Sequence, residues 1–288
     1  MIKTILFTSG TLTGAVLLFT LSACCTECSE KKSPEERWRL AVQAWTFNRF
    51  SFFEAVDKTA SIGVRFIEAF PGQRLSAEKP DARFHHTMPE EDRIAAMDKL
   101  KAAGVTLVNY GVVGLPNDEA KCREVFDFAK AMGIETIVSE PPEDAFDVID
   151  KLCREYEINV AVHNHPTPSH YWNPDTVLKV AKDRSQWIGA CADTGHWSRS
   201  GVNPVEAVKK LEGRIASFHL KDLNEFGVKK AHDVPWGTGK SDVQAVLDEM
   251  NRQGFEGVFS IEYEHNWENS LPELKKCVEF FNGALKKI

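Results

Sequence analysis

Eight times along this chain a short apolar run is followed by an amphipathic segment, and this alternation restricts the fold more than any other feature. The runs are Leu40–Ala44, Val64–Phe70, Val105–Gly111, Ile134–Glu140, Ile158–His165, Ile188–Thr194, Ile215–Lys221 and Val258–Tyr263. Each is rich in Val, Ile and Phe and usually follows a glycine or a charged turn, the signature of a strand. Between them, segments such as Asp118–Met132, Ala145–Tyr156, Pro204–Leu211 and Asp242–Asn251 read as helices. Cys122, Val125, Phe126 and Ala129 recur at three and four, while Asn173-Pro174 and Asn203-Pro204 have the form of an N-cap with proline at N1. Strands separated by helices run parallel, with right-handed crossovers. Eight units of similar length favour closure over an open, doubly wound sheet. Such a sheet would more often begin with a glycine-rich turn, and the first strand here runs into Ala44-Trp45-Thr46-Phe47. The predicted fold is α/β, a single (β/α)8 barrel over residues 39–288, with function at the C-terminal ends of its strands.

The N-terminus reads as an address. Lys3, an apolar run from Ala15 to Leu21, and Leu21-Ser22-Ala23-Cys24 make a signal peptide over residues 1–23 that resembles a bacterial lipobox, with Cys24 the lipidated residue. Glycines and threonines interrupt the run and no charged stop-transfer cluster follows at once, which argues against a transmembrane anchor. Residues 24–38 then form a polar tether with a reach of roughly 20 Å. The expected location is outside the cytoplasm, lipid-anchored to the bacterial cell envelope and facing periplasm or cell surface, with the lipid as the sole membrane contact. Without the signal the chain keeps about 265 residues, near the ~250 typical of one α/β barrel. Losing Lys3 moves the net charge from −7 to about −8, and an acidic surface argues against a nucleic-acid partner. Cys25 and Cys28 have CxxC spacing with no second pair nearby, and the later cysteines 122, 153, 191 and 277 are spread singly, as buried apolar residues would be. Self-association into a homo-oligomer stays open.

The strand ends carry an unusual set of residues. They read Phe66-Ile67-Glu68, Ser139-Glu140-Pro141, His163-Asn164-His165, Asp193-Thr194-Gly195-His196, His219-Leu220-Lys221-Asp222 and Glu262-Tyr263-Glu264-His265. A charge inside an apolar strand is costly unless it is paired or coordinated, and converging Glu, Asp and His residues are what a divalent metal site supplies. Asp193, His219 and Glu262 form the core of this set. Glu68 alone would read as a salt-bridge partner. His85 and His86, in the loop after the second strand, read as solvated, and Glu264 and His265, at the strand end, as exposed. Gly237-Thr-Gly239-Lys240-Ser241 looks like the end of a phosphate loop, but Val234 stands where the required glycine would be. Its backbone N–H groups still offer a grip for a hydroxyl or phosphate.

Taken together, these residues resemble the xylose isomerase-like barrel superfamily of sugar phosphate isomerases and epimerases. The similarity rests on Ile67-Glu68, Asn164-His165-Pro166, Asp193-Thr-Gly-His196, His219-Leu-Lys221-Asp222, the Pro235–Gly239 loop and Glu262, and spans nearly all of residues 39–285. The resemblance implies one divalent metal ion (Mn, Co, Zn or Mg) held by four strand-end side chains. Asp193, His219 and Glu262 carry over. The family's fifth-strand glutamate is here His163, so the fourth ligand is His163 or the neighbouring Glu140. The chemistry implied is removal of a C–H proton next to a sugar carbonyl, through an enediolate, with Glu262 or Glu140 as base and Lys221 polarising an oxygen. Glu68, His165, His196, Trp45 and Trp197 are the expected substrate contacts, the tryptophans having core packing as their alternative. The leading expectation is a metal-dependent sugar isomerase or epimerase. A lyase or hydratase acting on keto-sugars derived from glycans comes second, favoured by the missing glutamate and the export signal, and a non-catalytic sugar-binding lipoprotein third.

Overall fold

The eight apolar runs are eight parallel strands: β1 Trp38–Gln43, β2 Phe66–Ala69, β3 Thr106–Tyr110, β4 Thr136–Ser139, β5 Asn159–His163, β6 Ile188–Asp193, β7 Ile215–Leu220 and β8 Gly257–Ile261. Each pairs with its neighbours in sequence, and β1 pairs with β8, closing the barrel. The computed structural model describes residues 32–288. The expected signal peptide and the expected lipidation site Cys24 lie outside the described residues. No described helix is long and apolar enough to cross a membrane.

The expected tether is shorter at its C-terminal end than the sequence suggested. Pro34–Arg37 is a helical turn, and β1 begins at Trp38. The Glu36 carboxylate accepts from the Ser33 N–H at 2.7 Å and its hydroxyl at 3.0 Å. Arg37 donates to the Phe255 carbonyl and to Asn251, both at 2.7 Å, while the Trp38 indole donates to the same carbonyl at 2.9 Å. Charged side chains that find buried carbonyls order a segment which composition alone marks as solvated.

Helix starts follow the sequence. Asp118 accepts from the Ala120 N–H at 3.1 Å and Asn203 from the Val205 N–H at 2.9 Å, each satisfying donors that the first turn leaves free. The main core lies between strands and helices, where Phe126, Phe146, Ile149, Phe218 and Phe259 are buried. Inside the barrel the side chains are small. Ala41, Val108 and Val258 form one cluster and Val138, Ala161 and Cys191 another. The next inward positions after Ala161, Cys191, Ser217 and Ser260 are His163, Asp193, His219 and Glu262, since alternate residues of a strand face the same way. A small-residue plug beneath thus leaves the polar layer at the C-terminal mouth. Cys122, Cys153, Cys191 and Cys277 are all buried and free.

Candidate metal centre

Register brings the four inward side chains together. Asp193 on β6 stands beside His219 on β7, which stands beside Ser260 on β8. One ligand atom from each of His163, Asp193, His219 and Glu262 lies within 4.8 Å of the others. All four residues are buried.

Each imidazole is held from behind. Nε2 of His219 donates to Glu68 at 2.8 Å, and Glu68 also accepts from Ser260 at 2.7 Å and from Gln43 and Asn109 at 3.3 Å. Register shifts between Ile67 and Glu68, and such a bulge re-aims a side chain. Nδ1 of His163 lies 2.9 Å from Glu140, which also pairs with Nδ1 of His165 and accepts from Ser169 at 3.1 Å. Asp193 is fixed through its Oδ1, which accepts from the His196 N–H at 2.6 Å.

The front faces turn toward one another. His163 Nε2 and His219 Nδ1 are buried without a hydrogen-bond partner, while Asp193 Oδ2 meets the Lys221 ammonium at 2.9 Å and His219 Nδ1 lies 3.2 Å from Glu262. Two orphaned imidazole nitrogens converging on two carboxylates would be costly to bury unless something coordinates them. Two imidazole nitrogens and two carboxylates, with carboxylates behind both imidazoles, match the donor chemistry and outer shell of a divalent metal site. The residues present fit such an ion.

Lys221 is buried between the carboxylates, its Nζ 2.7 Å from Glu262, 2.8 Å from Glu264 and 2.9 Å from Asp193. Its stem passes Gly195 so closely that an added Cβ there would lie 2.8 Å from Lys221 Cβ and Cδ. Burial pushes the Glu262 carboxyl up, but Lys221 and His219 outweigh it and hold the group at about 2. Burial likewise lowers the basicity of His196 well below its ordinary range, and Arg199 donates to its Nδ1 at 3.0 Å. His196 is therefore neutral, with the proton on Nε2.

The cavity above the centre has a volume of about 270 Å3 and is lined by His163, His165, His196, Glu262, Glu264, Gln43, Gly111, Val112, Trp45, Phe70 and Pro71. Expected contacts His165, His196 and Trp45 therefore stand at its wall. Others stand elsewhere. Trp197 is buried in the core and does not line the cavity. Glu68 is fully buried beneath it, holding His219 instead of a substrate. Glu140 contacts His163 from behind and is outside the four-donor cluster, and Lys221 reaches only carboxylates. Glu264, expected to be exposed, accepts from Lys221 and from Arg199 at 3.0 Å and reaches the cavity. The phosphate-loop remnant offers no grip, because Asp222 accepts from the N–H groups of Gly237, Gly239 and Ser241, each at 2.9 Å. Arg199 and Gln43 were missed. Glu264 was legible, since it lies two residues beyond Glu262 and so shares its side of the strand.

Glu264 gives a stability test. Burial raises its carboxyl, but Lys221 and Arg199 more than compensate and lower it from an ordinary 4.5 to about 2. A depressed carboxyl contributes stability that is present above its unfolded value and lost as pH falls through the folded one. At ~1.4 kcal/mol per unit this is on the order of 3 kcal/mol, lost between about pH 4.5 and 2. Urea unfolding of wild type and Glu264→Gln across that range should show a shallower loss in the variant. Parallel losses would remove Glu264 from the acid response.

The model of the xylose isomerase-like TIM barrel family matches residues 56–282. The chain belongs to that family. A solved structure of a protein from Parabacteroides distasonis is 33% identical, with a TM-score of 0.70 over 85% of this chain and 98% of that one. The IolI protein, solved with a zinc atom, is 17% identical, with a TM-score of 0.64 over 86% and 98%. D-allulose 3-epimerase from a Methylomonas species, in complex with D-allulose, is 12% identical, with a TM-score of 0.65 over 86% and 97%. At such identities the last two likenesses show the fold alone. The chain spans about half the length of the curated relatives it matches. One is an inosose dehydratase of Clostridium botulinum, 26% identical over 133 residues, covering 41% of this chain and 44% of the relative.

Proposed function

We propose that this family member is a divalent-metal-dependent lyase or hydratase acting on sugar-derived carbonyl compounds, with Glu262 as base and His165 as acid. The observation that carries the choice is the pairing of His165 with Glu140 at the wall of the cavity that Glu262 also lines. The side chains come from the ends of β5 and β8, three strands apart around the barrel. They supply the two functions that an elimination needs, a carboxylate to take a proton and an imidazole to give one. The partial match to a dehydratase supports the same reading.

His163, Asp193, His219 and Glu262 would hold the ion. When bound, it supplies a Lewis acid that draws charge from a carbonyl oxygen and acidifies the neighbouring C–H. Glu262, kept ionised by Lys221, takes that proton. The new carbon–carbon double bond forms as the C–O bond of the β-hydroxyl breaks. His165 gives its proton to the departing oxygen, which leaves as water, and Glu140 on Nδ1 orients the ring for the transfer. His196 offers its Nε2–H to a substrate oxygen. Trp45 and Phe70 cover the apolar side and exclude water. Hydration is the reverse. Export, as residues 1–23 lead us to expect, would make unphosphorylated, glycan-derived keto-sugars the substrates within reach.

Isomerisation or epimerisation is the second reading: Glu262 and His165 line one cavity, and there the proton taken by Glu262 is made good by one returned to carbon from the wall that His165 lines. Turnover of a keto-sugar panel by Mn-loaded protein in heavy water separates the two. Elimination or hydration changes the product mass by one water, whereas epimerisation leaves one deuterium on an inverted carbon. Neither change on any member of the panel would overturn the enzymatic reading and leave a sugar-binding protein.

A further inference from the structure

The cavity over the metal centre does not end at Trp45. A second hollow of about 520 Å3 adjoins it, sharing Trp45 and Phe70 and walled further by Trp267, Phe50, Gln73 and Arg49. The Trp45 ring meets Phe70 edge-on at 5.0 Å and Trp267 edge-on at 6.4 Å, so the aromatic wall continues from one hollow into the other. Trp45 is 39% exposed, unusual for a side chain of its size. The first hollow alone falls below the ~300–1,000 Å3 usual for ligand pockets, and the two together fall within it.

Gln73 supplies the observation that points to a ligand. It is 3% exposed and lines the second hollow. Its Nε2 donates to the carbonyls of Phe50 at 3.2 Å and Phe47 at 3.4 Å, which fixes the orientation of the amide. Its Oε1 is buried with no partner. A buried acceptor left empty is costly, and a ligand hydroxyl would satisfy it. Aromatic faces with a few placed acceptors and donors, Gln73 Oε1 and the Arg49 guanidinium among them, are the chemistry that grips a pyranose ring, which is apolar on its faces and ringed by hydroxyls.

We infer that the second hollow is a subsite for a further sugar unit, so that the substrate is a disaccharide or larger glycoside whose reacting ring sits over the metal centre. The inference rests on the sugar-directed reading of that centre. It assigns Trp267 and Gln73 to substrate length and leaves the chemistry to the residues already described.

Titration of the Mn-loaded protein with the ketose fructose and the glucosyl-fructoses turanose, maltulose and palatinose, followed by calorimetry, tests it. At least one disaccharide should bind tenfold or more tightly than fructose. Trp267→Ala should remove that gap while fructose binding stays as in wild type, and Trp267→Phe should restore it. Fructose and all three disaccharides binding equally in wild type, or a gap that survives Trp267→Ala, would overturn the subsite alone. No binding of any of the four would overturn the keto-sugar reading with it. Sedimentation of the same proteins supplies one more outcome: a wild-type dimer converted to monomer by Trp267→Ala would assign the face to a second copy of the chain and overturn the subsite.

Discussion

Replacing Glu262 by Gln is expected to lower turnover at least about a hundredfold, the usual loss when a general base is removed. The substitution keeps the shape of a buried side chain and takes away its charge. In the wild type that charge lies 2.7 Å from Lys221 and 3.2 Å from His219, and both hold it ionised. An amide can neither accept the carbon-bound proton nor balance Lys221. Because Glu262 also belongs to the four-donor cluster, metal content has to be measured on the same sample. A variant that keeps its metal and loses turnover places the defect in proton transfer. A near-normal rate would remove Glu262 from the mechanism.

His163→Ala and Glu140→Ala should separate a ligand from the group behind it. His163 offers Nε2, buried and unpartnered, to the cluster and turns Nδ1 to Glu140. Removing the imidazole deletes a ligand and should leave the purified protein largely without metal. Removing Glu140 leaves the ligand but frees its tautomer and rotation, and the loss of such outer partners costs ~10–100-fold in affinity. Glu140→Ala should therefore load fully only at raised metal concentration. It should also lose the acid function of His165, whose Nδ1 it holds, so turnover stays low even when metal is restored. Equal, wild-type metal occupancy in both variants would mean that the centre is built from other residues. Loss of metal in Glu140→Ala alone would exchange the two roles.

The barrel was legible because closure repeats one local pattern eight times, and a strand needs only its apolar run to be recognised. Four of the expected centre residues share a geometric cause. His163, Asp193, His219 and Glu262 each lie two positions beyond a small inward residue, so strand parity alone brings them to one layer. Parity also reaches Glu264, whose place at a strand end made it look solvated. Roles that depend on where a side chain turns after the strand were not legible. Glu68 reads as a salt-bridge partner or a substrate contact, and the shift of register before it and four donors around it commit it to the first, with His219. Trp197 follows a helix N-cap at Asp193, which turns the indole into the core. Asp222 draws the glycine-rich loop onto its own carboxylate, a contact between segments more than a dozen residues apart that no local pattern encodes.

The account stands most directly on the claim that His163, Asp193, His219 and Glu262 hold one divalent ion. Crystals of the protein loaded with Mn or Zn, measured on both sides of the metal's absorption edge, test it. The predicted result is a single strong anomalous peak at ~2.0–2.3 Å from one atom of each of the four side chains, with Glu140 and Glu68 hydrogen-bonded behind the two imidazoles and Lys221 retained on Glu264. No peak there at full metal loading, or a peak held by Glu140 and His165 instead, would contradict it.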